Sequence, residues 1–77
     1  MLEKTIMLKN FEDVKEFVDI ANSKEYDIEL MSGKYIVNAK SIMGVFSLDL
    51  TKPMVMVAHC ESAAELSRQT SRFDLVK

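Results

Sequence analysis

Cysteine, histidine and glycine are scarce in this sequence, and their scarcity excludes several kinds of site. The single cysteine, Cys60, excludes an intrachain disulfide and a thiolate metal cluster. His59 is the only histidine, and no clustered set of histidine, cysteine and carboxylate residues accompanies it, so the sequence predicts no metal site. Two glycines are too few for a glycine-rich phosphate loop, and no other pattern in the chain indicates a cofactor.

The chain also lacks a basic excess and long apolar runs. Its net charge of −2 argues against a nucleic-acid binder, which should carry a basic face. The apolar runs fall far short of the ~20 residues that a membrane span needs. The N-terminus lacks the apolar core of a signal peptide. We therefore expect a cytoplasmic protein that binds neither nucleic acid nor membrane.

The 77 residues do contain the composition and the periodicity of one small folded domain, residues 1–77. Alternating and helical patterns predict a strand (2–8), a helix of about three turns after Asn10 and a hairpin (26–31 and 34–39). They then predict a short helix (42–49), a strand (54–59) and a last helix that a Ser62–Glu65 capping box begins. This β-α-β-β-α-β-α order predicts an α+β fold, in which a four-stranded antiparallel sheet carries three helices on one face. The other face, with Thr5, Met7 and Glu29, would be open to water.

Two apolar stripes are expected to face the sheet from the long helices. The stripe of the first helix is Phe11, Val14, Phe17, Val18 and Ala21, and that of the last helix is Ala63, Leu66, Thr70 and Phe73. The acidic residues Glu12, Asp13 and Glu16 then form the solvated face of the first helix.

Ser41 begins the short helix and is the best candidate for a functional residue. Its hydroxyl can cap the first turn, and this role alone would account for a serine. The alternative is a phosphorylation site, because a phosphate would meet free amides there and would add roughly two negative charges beside apolar side chains. Gly44 inside this helix costs about 1 kcal/mol relative to Ala, so we expect another surface to approach it closely.

No set of residues composes an enzyme active site, and we predict that the protein is not an enzyme. His59 and Cys60 are adjacent on a strand and point to opposite faces, so they do not form a catalytic pair. We interpret His59 as structural or solvated and Cys60 as a small, partly buried apolar residue.

Residues 37–48 read V-N-A-K-S-I-M-G-V-F-S-L and resemble the histidine-containing phosphocarrier protein (HPr) of the bacterial sugar phosphotransferase system. The family pattern is V-N-x-K-S-I-M-G-V-M-S-L, and the chain departs from it only at Phe46. The resemblance implies the family's open-faced β-sandwich over nearly the whole chain. It also implies that Ser41 is the regulatory site that HPr kinase/phosphorylase modifies.

The phosphocarrier motif of the family, G-x-H-A-R-P-A, lies at the start of the first helix, and this chain departs from it. Counting back without a gap from Ser41 places Asn10 at the histidine, Phe11 at the alanine, Glu12 at the arginine and Asp13 at the proline. An amide does not replace the nucleophilic imidazole, and the acidic residues would repel a phosphate dianion. The phosphohistidine position, with Asn10 and Glu12, is therefore interpreted as degenerate.

The leading hypothesis is an HPr-like regulatory or interaction module that carries out no histidine phosphoryl transfer. By resemblance, its partners are HPr kinase/phosphorylase, a catabolite-control regulator or phosphotransferase components. We expect them to contact a surface made of Lys40, Ile42, Met43, Val45, Phe46 and Leu48. One alternative is a phosphocarrier that works through another residue, with His59 the only imidazole. The other is a structural or assembly module that forms a homodimer by pairing sheet edges or exchanging the first strand.

Overall fold

The computed structural model describes residues 1–75, which form a sheet covered on one face by helices. The elements are β1 (Leu2–Ile6), α1 (Phe11–Asn22), β2 (Ile28–Ser32), β3 (Tyr35–Asn38), α2 (Ile42–Phe46), β4 (Met54–Ala58) and α3 (Ala64–Gln69), followed by a 3-10 turn (Ser71–Phe73). This order confirms the predicted β-α-β-β-α-β-α pattern and the α+β class.

The four strands form one antiparallel sheet in the order β1-β4-β2-β3. β4 lies between β1 and β2, which explains why it is apolar at nearly every position. The hairpin of β2 and β3 turns at Gly33, whose φ of 59° lies in the left-handed region that glycine adopts without strain. The predicted central strand and the predicted hairpin are both confirmed.

The core lies between the sheet and the helices. It contains Val14, Phe17, Val18 and Ala21 of α1, Leu66, Thr70 and Phe73 of the C-terminal part, and the inward residues of the strands: Ile6, Ile28, Leu30, Met54, Met56 and Ala58. Phe17 and Phe73 meet edge to face, with ring centroids 6.1 Å apart. The two predicted stripes are thus buried, with Ala63 half-buried and with one exception at Phe11, which is exposed.

Two predicted boundaries are wrong because hydrogen bonds at the ends of the elements stop them earlier. β1 stops at Ile6, since the backbone N–H of Met7 donates to the carbonyl of Phe73 rather than to a neighbouring strand. Met7 is therefore not part of β1, and its predicted place on the open face of the sheet is wrong. α2 stops at Phe46, because the Ser47 hydroxyl donates to the Gly44 carbonyl at 2.6 Å.

The capping box predicted at Ser62 is also wrong. α3 begins one residue later, after Ala63, and no side chain caps it. The Glu65 carboxylate, which a capping box would use, instead accepts a hydrogen bond from the Lys24 ammonium. The ion pair between Lys24 and Glu65 therefore forms in place of the predicted capping box.

Candidate functional site

Ser41 is exposed at the start of α2, where its side chain caps the helix. Its backbone is extended, with φ −101° and ψ 110°, and its Oγ accepts a hydrogen bond from the Gly44 N–H at 3.1 Å. The predicted cap is confirmed. Because the hydroxyl is exposed as well as bonded, the cap leaves it accessible to another protein.

The close approach predicted at Gly44 is made within the chain. A Cβ at this position would lie 3.3 Å from the Ser41 Oγ and 3.5 Å from the Val37 Cβ. The absence of a side chain therefore lets α2 pack against its own cap and against β3.

The predicted partner surface is only partly exposed. Met43 is 77% exposed, and Lys40, Ile42 and Phe46 are half-buried. Val45 and Leu48 belong to the core, so including them in a binding surface is a misprediction. One face of so short a helix must anchor it to the domain, and Val45 is the residue that does so.

Phe11 enlarges this surface, although the sequence pattern had placed it in the core. Its ring stacks on Phe46, with centroids 5.2 Å apart and planes 14° apart, and 58% of Phe11 is exposed. Phe11 is the first residue of α1. We call Phe11, Ile42, Met43 and Phe46 the α1–α2 surface.

Lys40 lies beside this surface and is held by the backbone. Its ammonium donates to the carbonyl of Lys24 at 2.8 Å, while its own carbonyl accepts from the Asn22 amide at 3.0 Å. These contacts fix the segment that leads into Ser41 against the end of α1.

Asn10 caps α1 and is itself part of a reciprocal capping arrangement. Its Oδ1 accepts from the Asp13 N–H at 2.9 Å, and the Asp13 carboxylate accepts from the Lys9 N–H at 3.0 Å. The predicted cap at Asn10 is confirmed. Glu12 is exposed in the same first turn.

Arg72 contacts the acidic face of α1. The predicted solvated position is wrong for Asp13, whose side chain is only 13% exposed, whereas Glu16 is exposed as predicted and also binds Arg72. The guanidinium donates from Nη1 to Asp13 at 3.0 Å and from Nε to Glu16 at 2.7 Å. It also lies over the Phe73 ring, 4.2 Å from the centroid. Because 59 and 56 residues separate these ion-paired residues, no local pattern indicates the cluster.

These contacts lower the pKa of both carboxyls. For Asp13 the main cause is the hydrogen bond from the Lys9 N–H; burial opposes it as the next largest effect, and the hydrogen bond from Arg72 lowers the pKa further. For Glu16 the main cause is the hydrogen bond from Arg72. Both carboxyls therefore stay charged at a lower pH than an ordinary carboxyl does.

A surface cavity of about 460 Å³ lies beside this cluster. It is lined by Met7, Lys9, Asn10, Asp13, Arg72, Phe73, Asp74 and Leu75. Asp13 forms an ion pair with the Arg72 guanidinium. The guanidinium is therefore already bound to a carboxylate and attracts a further anion less strongly. The start of α1 therefore presents paired charges rather than a cationic phosphate cradle.

Among the described residues, neither His59 nor Cys60 hydrogen-bonds with Asn10 or Ser41. The His59 Nε2 is 2.9 Å from the Glu29 Oε1, and this pair lies at the open face of the sheet, opposite to α1 and α2. Cys60 is half-buried, and its thiol contacts the carbonyl of Ser62. Within residues 1–75, no group of three or more histidine, cysteine or acidic residues is placed to hold a metal ion.

Comparison with known proteins relates this geometry to the phosphocarrier fold. No protein-family model matches the chain, and neither does any curated protein sequence. Solved structures do match: HPr-C-His from Thermoanaerobacter tengcongensis has 28% identity and a TM-score of 0.78, with 94% of this chain and 89% of that chain covered. The phosphocarrier protein HPr from Bacillus anthracis str. Ames has 28% identity and a TM-score of 0.73, with 95% of this chain and 96% of that chain covered.

The fold of the chain is the one seen in these HPr phosphocarrier structures. The chain is HPr-like over most of its length, and this likeness supports a relation to the phosphotransferase system. Among the described residues, no helix has the length and apolar character needed to cross a bilayer.

Proposed function

We propose that the chain is a regulatory protein-interaction module in which Ser41 accepts a phosphate and no phosphoryl group passes through a histidine. The observation that carries the proposal is the exposed Ser41 hydroxyl beside the exposed part of the α1–α2 surface. By resemblance to HPr proteins, the modifying enzyme is HPr kinase/phosphorylase and the reader is a catabolite-control regulator or a phosphotransferase component. A cytoplasmic location remains part of this prediction.

Phosphorylation at Ser41 would change the surface without removing its scaffold. The phosphate would add roughly two negative charges next to apolar side chains, of which Met43 is the most exposed. Its oxygens can accept the Gly44 N–H that the hydroxyl now binds, so α2 keeps a cap. A partner with both an apolar contact and a cationic group would then distinguish the two forms.

The phosphoacceptor is tested with purified HPr kinase/phosphorylase and ATP. We expect one phosphate on the wild-type protein, measured by intact mass and located by peptide sequencing, and none on Ser41→Ala. Ser47→Ala is the matched control, because Ser47 is an exposed serine at the other end of α2 and should leave the phosphate intact. No phosphate on the wild type, or phosphate retained in Ser41→Ala, would contradict the proposal.

The α1–α2 surface is tested by binding of the phosphorylated protein to a catabolite-control regulator. Met43→Glu places a charge at the most exposed residue of the apolar surface, and we expect it to raise the dissociation constant by about tenfold or more. Thr5→Glu introduces the same charge on the open face of the sheet and should leave binding unchanged. Equal affinity of the Met43→Glu variant would show that another surface binds the regulator.

The absence of histidine transfer is tested with labelled phosphoenolpyruvate and the first enzyme of the phosphotransferase system. The only imidazole is His59, which lies near Asp27 and Glu29, and these carboxylates disfavour a phosphate dianion. We therefore expect no acid-labile label on the protein. Label that disappears in His59→Gln would support the alternative, a phosphocarrier with a non-standard site.

A further inference from the structure

β3 is an edge strand, and within residues 1–75 no other strand pairs with its outer side. The Ala39 N–H donates to the Ile28 carbonyl at 2.9 Å, so Ala39 faces β2. In an antiparallel ladder alternate residues turn both backbone groups to the same side, so Tyr35 and Val37 also face β2. Ile36 and Asn38 therefore direct their backbone groups away from the sheet.

The opposite edge, at β1, is partly closed by the chain itself. The Leu75 N–H donates to the Thr5 carbonyl at 3.1 Å, and the Met7 N–H donates to the Phe73 carbonyl at 2.8 Å. Asp74 forms a bridge with Ile6. This segment occupies the second half of the β1 edge, which leaves β3 as the better template for another strand.

The side chains of β3 suit a second copy of the same strand. Tyr35 is 71% exposed and Ile36 is 59% exposed, and the strand Y-I-V-N carries no charge. Charged residues are the usual protection of an edge strand, and β3 has none within its length. With a net charge of only −2, two copies of the chain repel each other weakly.

We propose that β3 pairs antiparallel with β3 of a second copy, with Ile36 opposite Ile36, so that two four-stranded sheets join at their edges. Ile36 has both backbone groups directed outward and forms a reciprocal pair of hydrogen bonds in this register. A register centred on Val37 would rely on the Asn38 carbonyl, which already accepts from the Ser41 N–H at 3.0 Å. The register at Ile36 avoids that competition.

This pairing predicts a weak and reversible dimer. Residues directly opposite in an antiparallel pair share a face, so the two Ile36 side chains meet on the open side of the joined sheet. In this register three residues of each strand, Tyr35 to Val37, lie opposite one another, and so short a contact is smaller than the interface of a stable dimer. The fraction of dimer should therefore rise measurably with protein concentration.

The experiment is sedimentation velocity of the whole chain across a concentration series. We expect the wild-type protein to move from monomer to dimer as concentration rises. Ile36→Lys and Ile36→Glu each place like charges opposite one another and should raise the dissociation constant by at least about tenfold. An equimolar mixture of the two variants should recover association, because the opposite charges then face each other.

Thr5→Lys is the matched control, since it adds the same charge to the open face but on β1. It should dimerise like the wild type. A wild-type protein that stays monomeric at every concentration overturns the proposal. So does an Ile36→Lys variant that dimerises normally, a mixture that does not recover, or a Thr5→Lys variant that is equally weakened.

Amide hydrogen exchange gives a second measurement that needs no variant. The Ile36 N–H is directed away from β2 at the open edge of the monomer's sheet. Its exchange should slow as the protein concentration rises, because dimer formation gives it a hydrogen-bond acceptor. The Val37 N–H faces β2 and should show protection that does not change. An Ile36 rate independent of concentration overturns the pairing. None of these measurements involves Ser41, so the dimer and the proposed regulatory function fail independently.

Discussion

At the scale of single residues, Ser41 and Gly44 work as one unit. The Ser41 hydroxyl caps α2 through the Gly44 N–H, and the missing side chain of Gly44 leaves room for that hydroxyl. A glycine inside a helix usually weakens it, and here it gives space to the group that stabilises the first turn. The two residues should therefore be energetically coupled.

This coupling is testable with a double-mutant cycle. Ser41→Ala should lower the free energy of unfolding by about 1 kcal/mol, because a cap is lost. Gly44→Ala should change it by less than about 0.5 kcal/mol in the wild type, because the gain in helix propensity is offset by crowding at the Ser41 Oγ. In the Ser41→Ala background the same substitution should stabilise by up to about 1 kcal/mol. Urea unfolding measures all four proteins, and additive effects would contradict the coupling.

At the scale of elements, the sequence predicts the order of strands and helices because each element is specified by a local pattern. Alternation predicts the hairpin, and the helical spacing of Val14, Phe17 and Val18 predicts the buried stripe of α1. The predictions that failed depend on contacts between elements. Phe11 continues the helical spacing, yet it stacks on Phe46 of α2 and remains exposed.

In the candidate site, too, the sequence predicts the local features and misses those that depend on contacts between elements. The caps at Asn10 and Ser41 are local and were predicted correctly. Arg72 could not be assigned to Asp13 and Glu16, because only the packing of the C-terminal turn against α1 brings them together. The Ser62 capping box failed for a related reason, since Lys24 binds the glutamate that the box requires.

The difference between a true cap and an apparent one gives a second prediction. Asn10→Ala should lower the free energy of unfolding by about 1 kcal/mol, because the Asp13 N–H loses its acceptor. Ser62→Ala should change it by less than about 0.5 kcal/mol, because the Ser62 side chain caps nothing in α3. Thermal and urea unfolding of the two variants distinguish these cases. A Ser62 effect as large as that of Asn10 would show that the sequence motif operates after all.

At the scale of the whole molecule, the C-terminal turn connects the two layers of the fold. Phe73 packs its ring in the core, its carbonyl binds the chain after β1, and the neighbouring Arg72 binds α1. Lys4 of β1 strengthens this closure through an ion pair with Asp74 at 2.7 Å. The C-terminal turn is thus tied to β1, to α1 and to the core by separate contacts.

These contacts make stability depend on pH in a defined direction. The folded-state pKa of Glu16 is lowered chiefly by the hydrogen bond from Arg72, and that of Asp13 chiefly by the Lys9 N–H and then by Arg72. A carboxyl with a lowered folded-state pKa stabilises the fold above its ordinary pKa of about 4 and loses that effect as the pH falls through the folded value. The free energy of unfolding should therefore decrease on acidification below about pH 4.

Arg72→Gln should make this acid dependence shallower, since the pKa values of both carboxyls would move back towards their ordinary values. We expect the variant to be less stable than the wild type at neutral pH and the two proteins to converge at strongly acidic pH, as measured by urea unfolding. Lys34→Gln removes one exposed positive charge elsewhere and should keep the wild-type slope. Added salt should narrow the neutral-pH difference, because screening weakens exposed ion pairs. A difference between Arg72→Gln and wild type that does not change with pH would show that Arg72 stabilises the turn by packing on Phe73 rather than through its carboxylate partners.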